Sequence, residues 1–299
     1  MKKPSHSRTM SSAAASVIPR PGADQISALR ASLDPHQPDS FADFGQEALT
    51  ALAAAGAPLA AAGSGTSDAT TREPLDQAVA TLSALDPQSL VPRRGLGGLF
   101  DSRGGRLKRI RQSFQASDRR MAELADQLKS QASALSDRAS RLDPAQEALR
   151  RPIIDLGAWI EAGRQRLADV DTTAPDDEIS AHDRLSRRLE TLAGARVAAL
   201  AQLPLARQLQ NADAAAVASL SGAADAIGAW RDDWRKALGL DGKRPRRVQP
   251  EPADLARLSG RLNQALGRAG RALGDGAARR RQAAERLAVL NPPPGPAAE

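Results

Sequence analysis

The chain has 299 residues and a formal net charge of +7, with 42 Lys/Arg against 35 Asp/Glu. It has no Cys and no Tyr, four Phe and three Trp, which excludes disulfides, thiolate nucleophiles and Cys-ligated zinc or iron–sulfur centres. So few aromatics among so much Ala, Leu and Arg argue against β-sandwiches and barrels, and for long helices joined by thin Leu/Ala seams.

Residues 1–38 are rich in Ser, Pro and small side chains without a sustained period, and read as disordered. Met1-Lys-Lys is followed by polar residues, and Ser11 to Ile18 is too short and weakly apolar for an export signal. A cytoplasmic location is expected. A first helix starts near Asp39-Ser40, because Phe41, Phe44, Ala48, Leu52, Ala55 and Leu59 recur at three- and four-residue steps. Ala48 to Gly63 is the longest apolar-looking run. It is mostly Ala, interrupted by Gly56 and Pro58, and falls short of the roughly 20 strongly apolar residues of a membrane span. Gly63 to Thr71 reads as a loop. Leu75, Val79, Leu82 and Leu85 predict a second helix that ends at Asp86-Pro87.

Pro92 to Gly105 is a Gly- and Arg-rich connector. Its Gly95-Leu-Gly-Gly98 lacks the Lys-Ser/Thr of a phosphate loop, and no strand precedes it. Leu96, Leu99 and Phe100, flanked by Arg93, Arg94 and Arg103, leave a membrane-surface contact open.

Leu107, Phe114, Met121, Leu128, Leu135 and Leu142 then fall at intervals of seven. The companion positions three residues on are Ile110, Ser117, Leu124, Gln131 and Arg138, so the second seam position is only partly apolar. Such a repeat predicts a helix of roughly 54 Å with left-handed supercoiling against a partner. Leu149, Ile153, Leu156, Ile160, Gly163, Leu167 and Val170 continue the pattern beyond Asp143-Pro144, which reads as a cap or a kink. Two long antiparallel helices forming a hairpin are the simplest solution. A parallel homodimer through the first of them is the alternative.

Asp171 to Ser180 reads as a polar loop. Leu185, Leu189, Leu192, Arg196, Ala199 and Leu203 open a third helix with Arg196 on its seam. Pro204 kinks this helix or opens a new one, and Val217, Leu220, Ala224, Ile227, Trp234 and Leu238 resume the stripe. Residues 241–252 form a basic Pro-rich linker, residues 253–290 a last helix weakened by Gly, and residues 291–299 a disordered tail. From 241 onward, twelve Lys/Arg meet six Asp/Glu. A basic segment of this kind suits nucleic acid, anionic lipid or an acidic partner, but no interleaved aromatics offer bases a stacking surface.

No constellation for catalysis emerges. The three His, at 6, 36 and 182, are far apart, and no metal or cofactor site is expected. Asp176-Asp177-Glu178 and Asp232-Asp233 are adjacent acids, which point apart on a helix. The polar set Arg196, Gln202, Arg207, Gln210 and Asn211 surrounds Pro204. Its guanidiniums and amides suit an oxyanion, or else tie helices together at the proline break.

Several ordered blocks resemble the TelA-type toxic anion (tellurite) resistance family. They are Phe44-Gly45 with Glu47-Ala48, Leu82-Leu85-Asp86 before the Gly-Leu-Phe connector, and Ile160-Glu-Ala-Gly163 with Leu167 and with Trp159 at the aromatic position. Leu189 through Asn211, Trp230 with Ala237-Leu238, and Arg281-Gln-Ala-Ala-Glu285 follow. The resemblance spans residues 39–290, with 39–240 as the family-like core. This chain departs from it at Arg138, where an acidic residue is more usual, and at Asp233, where Gln commonly follows the Trp. The stretch after Leu240 is also short.

The fold expected is all-α, an elongated bundle of long antiparallel helices with coiled-coil character. The resemblance implies a non-enzymatic cytoplasmic protein of a bacterial stress or envelope response, acting through a protein partner or a peripheral membrane contact. Without thiols it cannot itself reduce an oxyanion. Direct oxyanion binding by Arg196 and Arg207 is one alternative. Nucleic-acid or anionic-surface binding by the basic C-terminal segment is another, with nucleic acid disfavoured.

Overall fold

The computed structural model describes residues 18–33, 41, 43–63, 68–91, 102–169, 176–242 and 245–290. Among them there are six α-helices and no strand: α1 (Ala23–Ala31), α2 (Gln46–Gly63), α3 (Asp68–Ser83), α4 (Arg103–Ala168), α5 (Asp176–Ala237) and α6 (Pro252–Leu290). The chain is all-α. A 3-10 turn, Pro87–Leu90, follows α3, with Asp86 accepting from the Gln88 N–H at 2.9 Å. Asp86-Pro87 therefore ends the helix as its chemistry predicts. No helix among the described residues is long and apolar enough to cross a membrane.

Several expectations are corrected. A helix, α1, lies inside the segment read as disordered, although its apolar side chains are few and none is buried. Residues 68–71 belong to α3 rather than to a loop. Helix α4 runs through Asp143-Pro144 for 66 residues, so no turn forms there. Leu142, Ala145 and Leu149 on either side are buried, and their packing outweighs the one hydrogen bond that a proline removes. Helix α5 likewise continues through Pro204 for 62 residues. Helix α2 begins at Gln46 rather than near Asp39-Ser40, so Phe41 and Phe44 precede it; residues 103–105 belong to α4 rather than to the connector, and 176–180 to α5 rather than to a loop. Asp39-Ser40 themselves, connector residues 92–101, residues 171–175, His6, His36 and the tail from 291 lie outside the described residues.

The chain forms two compact units, each assembled from separate stretches: residues 1–58 with 145–202, and residues 59–144 with 203–299. In unit 1 the second part of α4 packs antiparallel to the first part of α5. Phe41, Phe44, Leu52, Leu149, Ile153, Leu156, Leu185 and Leu192 are among its buried side chains. Phe44 meets Trp159 edge-on at 4.7 Å. Arg188 holds the Phe44 carbonyl at 2.7 Å and the Gln46 side chain at 2.9 Å. Gly45 has φ 72°, and a Cβ there would lie 2.9 Å from Leu192 Cδ1. Gly163 allows a close helix approach, since a Cβ would fall 2.5 Å from Leu189 Cδ2.

In unit 2 the heptad face of α4 is covered by α5 and α6. Phe114, Met121, Leu128, Leu135 and Leu142 are buried within the chain itself, on the face that a parallel dimer would use. Phe114, Trp230 and Trp234 form one aromatic cluster with centroids 5.4–5.6 Å apart. Asp118 on α4 accepts from Arg231 at 2.8 Å and Arg235 at 2.7 Å, fixing the register of α5. Helix α5 ends in a Schellman arrangement: Gly239 has φ 67°, Leu240 N–H donates to the Arg235 carbonyl, and Gly239 N–H to that of Lys236. Arg111 covers the Leu238 carbonyl at 2.9 Å.

Candidate functional site

The five polar residues singled out around Pro204 are divided between the units. Arg196 and Gln202 belong to unit 1, Arg207, Gln210 and Asn211 to unit 2. Arg196 is half-buried beside Gly157 and donates from Nε to the Ile153 carbonyl at 3.2 Å. Gln202 is buried. Gln210 donates to Asp143 at 2.6 Å and reaches the Ala139 carbonyl at 3.4 Å. Arg207 and Asn211 are exposed, as is Pro204 itself. Arg196 and Gln210 thus each tie α5 to α4, one in each unit.

Unit 2 contains a polar cluster that the sequence reading did not assemble. Asp213 on α5 is 1 % exposed and faces two guanidiniums. Arg138 of α4 binds it through both Nε, at 3.1 Å, and Nη2. Arg280 of α6 places Nη1 2.7 and 2.8 Å from its two oxygens. All three charges occupy positions where their helices otherwise present apolar side chains. Arg138 follows Leu135 by three, Asp213 stands between Leu209 and Ala216, and Arg280 lies between Leu273 and Leu287, each of these flanking residues being buried. That misfit with the apolar stripe was the available signal. Only Arg138 interrupts a strict heptad, so only there does the sequence display it. Beside the cluster lies a cleft of 270 Å³, whose lining includes Thr71 and Arg72 of α3 together with Gly274, Gly276 and Arg281 of α6.

Helix α6 also carries an exposed cationic face. Arg257, Arg261, Arg268, Arg271, Arg279 and Arg286 are all exposed. At 3.6 residues per turn they fall within an arc of about 80° and extend over about 44 Å of helix. Gln264, Asp275 and Gln282 complete the row, and Asp254 beside it pairs with Arg257 at 2.8 Å. The opposite face, with Leu255, Leu262, Leu266, Leu273 and Leu287, is buried.

A family model described as toxic anion resistance protein (TelA) matches residues 26–245. The chain belongs to this family. The match begins within α1 and ends before α6, so the arginine row lies beyond it. Inside it, the TelA-like blocks acquire physical roles. Phe44 and Trp159 pack edge to face, Gly45 supplies a positive φ, and Gly163 admits Leu189. Trp230 belongs to the aromatic cluster of unit 2. No curated protein and no solved structure matches the chain.

Proposed function

We propose that the protein serves toxic anion resistance without catalysing a reaction. In this reading it is cytoplasmic, lies against an anionic membrane surface during a stress or envelope response, and meets a protein partner there. The observation that carries the reading is the arginine row of α6. A helix presents such a row along a line, which meets a flat anionic surface over its whole length. Each Arg close to an anionic leaflet contributes about 1 kcal/mol, so six suffice for reversible association without inserted apolar side chains. The row has no aromatic residue between its guanidiniums, which disfavours single-stranded nucleic acid. The non-catalytic part rests on the absence of Cys and the wide separation of the three His.

Co-sedimentation with vesicles tests it. The protein is expected to pellet with phosphatidylglycerol vesicles, to stay in solution with phosphatidylcholine, and to be released as salt shortens the screening length. Arg261→Gln/Arg268→Gln/Arg271→Gln removes half of the row and should abolish most of the pelleting. Equal behaviour with anionic and neutral vesicles would sink the proposal.

A further inference from the structure

Arg207, singled out beside Pro204, is exposed and meets no carboxylate among the described residues. Five turns further along α5, Asp225 is exposed and equally unpaired among them. At 3.6 residues per turn the two stand on the same side of the helix, about 27 Å apart. We infer that a second copy of this chain packs antiparallel along this face of α5, so that Arg207 of each copy meets Asp225 of the other. The exposed residues between the two charges are Gln208, Asn211, Ala214, Ala215, Ala218 and Gly222. None is charged, although 26 % of the chain is, and a face turned only to water has no need of that exclusion. They fall within an arc of about 120°, wholly inside unit 2. A Cβ at Gly222 would meet nothing within 4 Å, so no contact inside the chain accounts for a residue that weakens a helix.

Charge selects both the occupant and its direction. In a two-fold dimer every contact occurs twice. An axis crossing α5 at Ala216, midway between the charges, sets Arg207 against Asp225 of the partner subunit at both ends of the seam. It also brings Ala214 and Ala218 of the two copies together near the centre. Because Arg207 and Asp225 share one edge of the face, antiparallel pairing keeps them on the same edge, where a guanidinium can fork a carboxylate. A parallel pair would set Arg207 against Arg207 and Asp225 against Asp225. Opposite charges at the ends fix register and orientation, and the small side chains between them let the helix axes approach to the short end of the usual 8–10 Å or so. The other long faces do not suit a copy. The heptad face of α4 is buried within the chain, and the exposed face of α6, with six Arg, repels its own kind.

Sedimentation equilibrium of the full chain tests the inference. The mass is expected to rise with concentration from 31.4 kDa towards twice that value. Ala218→Arg puts two guanidiniums at the centre of the seam and should weaken the dimer about tenfold or more. Its exposed position should leave the melting temperature of the dilute monomer unchanged. Arg207→Asp sets like charges against each other and should also weaken the dimer. Adding Asp225→Arg to it makes the pairs opposite again and should restore association. The triple variant of the α6 row should dimerise as the unaltered chain does, which separates this result from the membrane reading. A chain that stays monomeric at every concentration overturns the inference and leaves the face to water or to a different protein. A dimer that survives Ala218→Arg overturns it as well, because the copies then meet elsewhere. Failure of the charge-swapped double variant to recover would show that Arg207 and Asp225 do not face each other, which ends the antiparallel arrangement.

Discussion

Asp213 gathers three helices of unit 2 at one carboxylate. Asp213→Asn would remove the carboxylate that Arg138 and Arg280 both hold. Removing one partner of a buried ionic cluster costs about 3–5 kcal/mol, to be read as a lower urea midpoint at unchanged slope. A smaller residue-scale effect is expected in unit 1. Gly163→Ala improves helix propensity by up to about 1 kcal/mol. Its methyl, however, enters within 2.5 Å of buried Leu189, and overpacking of this kind costs about 1–3 kcal/mol. A net loss of stability is the expected result in a denaturation curve. An increase would mean that Leu189 yields freely.

At the scale of the element, α5 tolerates Pro204 in its interior. The proline is exposed, so its ring supports no packing that Ala would lose. Pro204→Ala restores one main-chain donor and should stabilise the protein by about 1–3 kcal/mol, visible as a higher melting temperature. The heptad from Leu107 to Leu142 was legible because an apolar residue every seven positions can be buried only along one helix face, and its last five members are buried. Whether the helices continue through Pro144 and Pro204 or end there was not legible. Local propensity opposes continuation, and the packing that overrides propensity comes from distant stretches of chain. The polar residues around Pro204 stand out in the sequence, as an anion site or a tie between helices, because they are close together along the chain. The residues that do converge, Arg138, Asp213 and Arg280, come from three helices, and their separation hid them.

At the scale of the whole molecule, the two units alternate along the chain, each needing both a stretch before and a stretch after the other's. The three passages between them fall at or beside Pro58, Pro144 and Pro204, each inside a helix. Each passage thus lacks one rung of the helical hydrogen-bond ladder. Cutting the chain once should not release either unit. With a protease site placed between α4 and α5, the nicked halves are expected to elute as one species in native buffer and to separate only in denaturant. Separation in native buffer would mean that the units do not depend on both halves.

The same alternation sets a timetable for a chain emerging from a ribosome. Every segment of unit 1 has been made once Gln202 is added, whereas unit 2 still awaits the rest of α5 and all of α6. At roughly 5–20 residues per second, the interval lasts several seconds. Throughout it Phe114, Met121 and Leu128, buried in the finished protein, wait for the helices that will cover them. A nascent chain of this design offers its longest sticky face early and hides it last, which makes the first part of α4 the natural place for a chaperone to hold.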